Sequence, residues 1–277
     1  MKQSTVSVIK SPKGAALEYA KHSFSAYRHC PNECAYCYLN RGVLSKQLGT
    51  GTPELRTCFK SDDDVVKRFE KEIKEDRKEL VADGGVFFSF ITDPCLKETF
   101  SLTNRSVILA LGYGVPVTVL TKMTDWVESG EGKAMIKAGG RNVCVGFSLT
   151  GRDDLEPYAS PNMARVEAMR KVHEYGVHTF ASVEPVIDLD DSLDMIKATL
   201  GFCDEYKIGL ESGKKHNRKP ITVEGLVQFV EDVQRLVAEK APTAKIYWKE
   251  SITQKVDGLV KFSENVVDAS YNIFVER

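Results

Sequence analysis

The sequence predicts a parallel α/β barrel, and three observations carry the prediction. Apolar runs of strand length alternate with helix-period segments along the chain. Several runs are continuous rather than alternating, such as Val86-Phe87-Phe88-Ser89-Phe90-Ile91 and Val143-Cys144-Val145-Gly146-Phe147, the pattern of strands covered on both faces. A length of 277 residues is close to that of one barrel-type domain.

Strands are expected at 24–28, 86–91, 115–121, 143–149, 178–183, 207–210 and Lys245–Trp248. Helices are expected between them. Residues 63–80 set Val65, Val66, Phe69 and Ile73 on one stripe with charges opposite, and Asp62-Asp63-Asp64 complements the dipole at its start. Residues 161–175 follow Ser160 as N-cap, with Pro161 at the first helical position. A third helix, 189–202, opens after Asp188, and a long amphipathic one, 222–240, stops before Ala241-Pro242. Gly-containing stretches 40–59 and 209–220 read as loops. The alternation implies right-handed crossovers between parallel strands. No composition break or repeat divides the chain, so one domain over 1–277 is expected, with a core barrel over about 17–212 and a C-terminal extension over about 213–277.

Lys plus Arg number 38 and Asp plus Glu 39, a formal charge of −1, which excludes attachment to nucleic acid or membrane by bulk charge and leaves room for a local basic patch. The longest apolar runs are strand-sized, and Met1-Lys2-Gln3-Ser4-Thr5 lacks the apolar stretch of an export signal. A cytoplasmic protein without membrane contact is expected. Seven cysteines in such a chain argue for metal binding or reactive thiols rather than disulfides.

Polar residues recur where the expected strands end: His29-Cys30, Thr92-Asp93-Pro94-Cys95, Thr121-Lys122, Ser148-Leu149-Thr150, Glu184-Pro185, Glu211-Ser212 and Lys249-Glu250-Ser251. In a parallel barrel these C-terminal ends share the face that hosts chemistry. The most specific feature lies there. Cys30-Pro31-Asn32-Glu33-Cys34-Ala35-Tyr36-Cys37 is a C-x3-C-x2-C triad, able to bring three thiolates to one soft metal centre. There is no second C-x2-C pair for a four-cysteine zinc site, although His29, His22 or Cys58 would complete a closed one. Three ligands on a four-iron cluster leave one iron open to substrate or cofactor.

The triad, with Tyr36 just before its last cysteine, resembles the radical S-adenosylmethionine superfamily. The run from Tyr27 to Tyr38 around it resembles the spore photoproduct lyase-related branch, the DNA repair photolyase-like proteins. So do Phe90-Ile91-Thr92-Asp93-Pro94, Leu120-Thr121-Lys122, Phe147-Ser148-Leu149 and Leu155-Glu156-Pro157-Tyr158-Ala159-Ser160-Pro161 leading to Arg165. The matches stay in order over about the first two-thirds of the chain, and from roughly Gly213 onward the match is loose.

The resemblance implies a partial (β/α)6 barrel and a [4Fe-4S] cluster on Cys30, Cys34 and Cys37. It implies S-adenosylmethionine chelated at the open iron and cleaved to a 5′-deoxyadenosyl radical that takes a substrate hydrogen. A flavodoxin- or ferredoxin-like donor would supply the electron. Tyr36 would border the adenine, and Lys122 would pair with the methionyl carboxylate. Ser148 would bond the ribose, with capping of the next turn as the rival role. Thr92 and Asp93 would contact the methionyl amine, against a turn-forming Asp-Pro. Arg165 would reach the carboxylate or else face solvent.

Counting from the Thr-Asp pair, the branch's radical-quenching cysteine falls at Phe90, so thymine-dimer repair itself is in doubt. Cys95 is a displaced hydrogen-atom donor or an inert thiol. Cys144 and Cys203 read as packing residues. The basic run Lys214-Lys215-His216-Asn217-Arg218-Lys219 should lie at the rim of the active face, where Lys214, Lys215, Arg218 and Lys219 would hold nucleic-acid phosphates or simply be solvated. Tyr247, Trp248, Lys249 and Glu250 would supply a stacking platform and charged pair, with Trp248 as core the rival. The expected activity is hydrogen abstraction from a nucleic-acid lesion or nucleotide. The alternatives are a protein or small-molecule substrate, and a non-enzymatic iron–sulfur protein.

Overall fold

A computed structural model describes residues 7–42 and 45–275; the N-terminal pentapeptide read for an export signal lies outside them. Strand β1 (Ile9–Lys10) pairs antiparallel with β2 (Ser23–Phe24). Beyond Phe24 the chain leaves the main sheet: β3 (Tyr27–Arg28) pairs antiparallel with β4 (Glu54–Leu55), and the cysteine loop and the short α1 (Ser45–Leu48) lie between them. The strand expected over 24–28 is thus split, and the expected loop 40–59 carries α1 and β4. The split lets the cysteine loop stand off the sheet, because Ala26 O bonds Arg56 N outside the main ladder at 3.0 Å.

From there helices and strands alternate: α2 (Asp62–Ala82), β5 (Val86–Phe88), α3 (Phe100–Gly112), β6 (Val117–Thr121), α4 (Gly130–Gly139), β7 (Val143–Ser148), α5 (Asn162–Glu174), β8 (His178–Val186), α6 (Leu189–Thr199), β9 (Glu205–Leu210), α7 (Val223–Lys240), β10 (Lys245–Trp248) and α8 (Glu250–Thr253). The sheet order is β1-β2-β5-β6-β7-β8-β9-β10, parallel from β2 onward. Six of these strands, β2 and β5 to β9, make the expected partial barrel, and β10 adds a seventh from the C-terminal region. The order does not close on itself. Contacts from a 3-10 turn (Gly14–Glu18) and the tyrosine after it span the open side: Tyr19 Oη bonds Glu184 at 2.6 Å, and Glu18 accepts from Glu250 N at 2.8 Å.

The two faces of the strands differ in what they bury. Outward residues such as Val86, Phe88, Val119, Val145, Val183 and Ile208 join one large core with the helices. Inward residues are fewer: Phe87, Cys144 and Phe180 form a separate cluster in the lumen. Gly146 lies directly under the Phe180 ring, where a Cβ would collide with it, so only glycine lets that ring cross the lumen. Trp248 points outward, edge-on to Phe229 at 6.1 Å, so the core role holds and it is no stacking platform.

Helix α2 buries Val65, Phe69, Ile73 and Leu80, and Ser61 Oγ accepts from Asp64 N at 3.3 Å as its cap. In α7, Thr222 caps in the same way over a stripe of Leu226, Phe229, Val230, Val233 and Val237. Helix α5 starts one residue later than expected. Pro161 is its N-cap, and Ser160 Oγ instead accepts from Thr124 N at 3.1 Å, tying the β7 loop to the β6 loop. Helices α3 and α4 were not expected from the sequence. The first is apolar on most sides, and the second is interrupted by Gly130, Gly132 and Gly139, so neither shows a clean amphipathic stripe. Among the described residues, no helix is long and apolar enough to cross a membrane.

Candidate active site

The cysteine loop sits over the C-terminal ends of β5, β6 and β7, and its shape is set by its backbone. His29 and Glu33 take left-handed conformations, φ 65° and 49°, which cost about 1 kcal/mol or more each for residues with a side chain. Cys30 O receives Gly51 N at 3.2 Å, Cys37 N donates to Cys34 O at 3.0 Å, and Ala35 N reaches across to Leu155 O at 2.9 Å. The result is one open pocket of ≈ 240 Å³ lined by Cys30, Cys34 and Cys37 together with Asn32 and Glu33. The triad predicted from spacing is therefore brought to a single place.

These thiols are held in a mixed field. Burial, with the Asp93 carboxylate adding to it, pushes Cys30 up to about 12, while the Asn32 and Asp93 backbone N–H groups act the other way. Burial raises Cys34 too, and the Lys122 ammonium opposes that rise. A metal centre must therefore displace protons from these two ligands. Among the described residues, the three sulfurs do not gather with one another, or with His29, His22 or Cys58, within the 4.8 Å that a single ion would ask for. His22 instead bonds Asp83 at 2.9 Å. A tetrahedral zinc needs its ligands packed closer than that, whereas a cluster gives each thiolate its own iron.

Asp93 is the hub that fixes the loop to the barrel. Its Oδ1 accepts from Thr121 Oγ1 at 2.6 Å and from Cys95 N at 2.9 Å; its Oδ2 accepts from Lys122 N at 2.7 Å and from Asn32 Nδ2 at 3.4 Å. The neighbouring Thr92 Oγ1 and Asn32 Oδ1 are buried without a protein partner, so this corner holds hydrogen-bonding capacity that a ligand can satisfy. Lys122 rises from the end of β6 with its Nζ 5.7 Å from the Tyr36 ring centroid, on the cysteine side of the barrel.

A second brace runs from Tyr36. Its hydroxyl donates to Glu156 Oε1, and Glu156 Oε2 pairs with Arg165 Nη2 at 2.7 Å, both side chains being 0 % exposed. Arg165 also donates to Ser148 O at 2.8 Å and to Ser160 O at 2.6 Å. The solvent-facing alternative for Arg165 is excluded. Its guanidinium is spent on fastening the cysteine loop to the end of β7, where Ser148 is buried. Arg41 clasps the same loop from the other side, donating to Tyr36 O at 3.1 Å and to Ser212 O. Gly213 follows in a left-handed conformation with no room for a Cβ against that guanidinium.

The remaining expected residues divide. Cys95 is 4 % exposed within the helix-side core, its thiol raised by burial and by Asp93. Cys144 and Cys203 are buried, as expected for packing. Lys214, Lys215 and Lys219 are exposed, whereas Arg218 pairs with Asp188 and Asp191, and His216 bonds Glu211 at 2.5 Å. Lys249 pairs with Glu184 at 2.8 Å but is only 3 % exposed, inside the barrel rather than on its rim. Sequence reasoning gave no role to Glu156, Asn32 or Arg41. Glu156 was visible as the acid of Leu155-Glu156-Pro157, but its two partners lie on separate segments, one of them 120 residues away.

No family model matches the chain. An uncharacterized protein of Methanocaldococcus jannaschii is 24% identical over 196 residues, covering 68% of this chain and 69% of the relative. Among solved structures, a spore photoproduct lyase mutant with bound AdoMet and dinucleoside spore photoproduct superposes with a TM-score of 0.63 at 15% identity, over 89% of this chain and 80% of that one. Streptococcus suis SuiB bound to S-adenosylmethionine superposes with a TM-score of 0.60 at 13% identity, over 86% of this chain and 52% of SuiB. The expectation of a partial barrel of this type is thereby met: the chain has the fold shared by spore photoproduct lyase and SuiB.

Proposed function

We propose that this protein is a radical S-adenosylmethionine enzyme carrying a [4Fe-4S] cluster on Cys30, Cys34 and Cys37. The observation that carries the reading is the convergence of three loop cysteines on one pocket at the C-terminal mouth of the barrel, with Lys122 beside them. Bound there, the cluster would supply the electron, received from a flavodoxin- or ferredoxin-like donor, for reductive cleavage of S-adenosylmethionine. Two structural neighbours with S-adenosylmethionine in their structures support that cofactor.

The chain's own residues have separable tasks in this reading. Lys122 neutralises a carboxylate in a half-buried setting where water cannot do so. Thr92 Oγ1 and Asn32 Oδ1 are unpartnered and buried; the hydroxyl accepts from or donates to the cofactor's polar groups, and the amide oxygen accepts from them. Asp93, expected at the methionyl amine, also accepts hydrogen bonds from Thr121, Cys95, Lys122 and Asn32, which hold the ends of the strands and the cysteine loop in register. Tyr36 gives an apolar wall whose rotation is stopped by Glu156. Ser148 offers a hydroxyl at the strand end, and Arg165 positions rather than binds. The lumen walls exclude water from the reacting centre.

For the substrate, a nucleic-acid lesion or nucleotide is favoured by the neighbour bound to a dinucleoside and by exposed Lys214, Lys215 and Lys219. A protein or small-molecule substrate is the second reading, favoured by Arg218 and His216 being tied to acids of their own chain. Anaerobic reconstitution with iron and sulfide, followed by an assay for 5′-deoxyadenosine with and without dithionite, tests the proposal. Dithionite-dependent 5′-deoxyadenosine is expected. Iron uptake with no cofactor cleavage would point to a non-enzymatic iron–sulfur protein.

A further inference from the structure

The far end of the barrel holds a second cavity, of ≈ 910 Å³, which shares no lining residue with the cysteine pocket. Its walls are inward residues from the early positions of β5 to β9, and its rim is the C-terminal segment 268–274 together with Lys21 and Asp83. Nothing in the proposed chemistry uses it. The 910 Å³ counts its open mouth; the room for a ligand is ≈ 160 Å³, near that of an apolar cavity that takes up benzene.

The lining has two pronounced features. Six aromatic residues line it: Tyr19, Phe87, Phe180, Tyr247, Tyr271 and Phe274. Its charged residues are Glu18, Asp83, Glu205 and Asp268 against Lys21 and Lys207, a surplus of two negative charges. Adding Lys249 and Glu184 beside it, with the Lys249 ammonium 2.8 Å from Glu184 and 3.3 Å from Glu18, leaves the formal surplus unchanged. Both lysines of the lining are already paired, Lys21 with Asp83 at 2.6 Å and Lys207 with Glu205 at 3.2 Å. An incoming anion would find no unpaired lysine in the lining.

Lys207 displays the chemistry the cavity favours. Its ammonium lies 5.6 Å from the Tyr19 ring centroid and 5.5 Å from that of Tyr247, so the wall already holds one cation between two π-faces. Aromatic faces with an acidic surplus attract weakly hydrated organic cations, which give up little solvation on entering. We infer that this cavity binds a small organic cation, an amine or quaternary ammonium compound, at a site separate from the cysteine pocket.

Choline chloride is the probe, titrated into the full-length protein against sodium chloride at equal ionic strength. Thermal unfolding and tyrosine fluorescence are the readouts. Choline should raise the unfolding midpoint saturably, and sodium isethionate, its anionic counterpart, should not. Tyr247→Leu should weaken the apparent affinity about tenfold. Asp268→Asn, at the exposed rim and gentle on the fold, should weaken it in the same direction. Cys34→Ala should leave it unchanged, which separates this site from the proposed cofactor chemistry. A choline effect no greater than that of sodium chloride, one matched by isethionate, or one unaltered in both cavity variants would overturn the inference.

Discussion

Two regions of the molecule use cysteine in opposite ways. Cys30, Cys34 and Cys37 line a pocket on a loop whose backbone is bent into left-handed turns. Cys95, Cys144 and Cys203 are buried in or beside the strands. Burial raises thiols in both regions, and both fields are mixed. Near the loop thiols, Lys122 and backbone N–H groups favour a thiolate while Asp93 and Glu156 disfavour one. Near the core thiols, Asp93, Glu205 and Asp204 disfavour one, while Lys207 opposes that at Cys144 and backbone N–H groups at Cys203. Residue type and charge alone do not make a ligand. The loop thiols differ in lining one open pocket together, where the core thiols stand singly in packed surroundings.

The contrast breaks most simply at the loop. Replacing any one of Cys30, Cys34 or Cys37 by alanine should reduce iron in the anaerobically reconstituted protein from about four atoms per chain to near background. The same change at Cys144 or Cys203 should leave the iron content as it was. Iron retained in a triad variant at the full level would mean that the pocket is not the metal site. Iron analysis with the visible absorption spectrum decides it.

The next effect is one of stability. Glu156→Ala leaves the fully buried Arg165 guanidinium without its counter-charge, which should cost about 3–5 kcal/mol, a fall of roughly 10 °C in Tm. Tyr36→Phe removes only the hydroxyl and should cost about 1–3 kcal/mol. If the two variants unfold at the same temperature, the brace is not carried by the ion pair. Lys122→Met should barely alter the unfolding temperature, because no ion pair holds that side chain among the described residues. In the reading proposed above, it should weaken S-adenosylmethionine binding about 10–100-fold, seen as a raised KM in the 5′-deoxyadenosine assay.

Much of this was legible in the sequence because the signals are local. Three cysteines within eight residues, continuous apolar strands, and polar residues at successive strand ends need no long-range information. The parts that were not legible are pairings across distance. Arg165 reads as a carboxylate partner or a solvent-facing helix residue until Glu156 and the Ser148 carbonyl are seen to enclose it. Lys249 reads as half of a charged pair with Glu250 on the rim and Glu184 as a polar strand end, yet Lys249 turns inward to pair with Glu184, where Gly209 leaves room beside them; a Cβ there would lie 2.8 Å from Lys249 Cδ. Helices α3 and α4 were missed for a related reason. A helix packed on several sides loses the stripe that sequence periodicity detects.

The rim offers a smaller test. Neutralising Lys214 and Lys215 together should reduce the salt dependence of oligonucleotide binding, the logarithmic slope falling by about two, with little change in stability since both are exposed. No oligonucleotide binding at low salt would favour the protein or small-molecule substrate.

The smallest effect, and the one that sharpens the comparison most, concerns Cys95. It belongs to the core group by burial, yet its backbone N–H is tied to the Asp93 hub that holds the cysteine loop, so it lies on the border between the two regions. As a packing residue it should behave like Cys144. Cys95→Ala would then cost about 1 kcal/mol through the small void it leaves, with 5′-deoxyadenosine formed at the wild-type rate and products unchanged. As a hydrogen-atom donor it would show the same cofactor cleavage but a different product distribution once a substrate is in hand. Thermal unfolding reads the first property and product analysis the second. The placement of Cys95 in the helix-side core leads us to expect the packing outcome, and a changed product would move the boundary of the reactive region inward by one strand end.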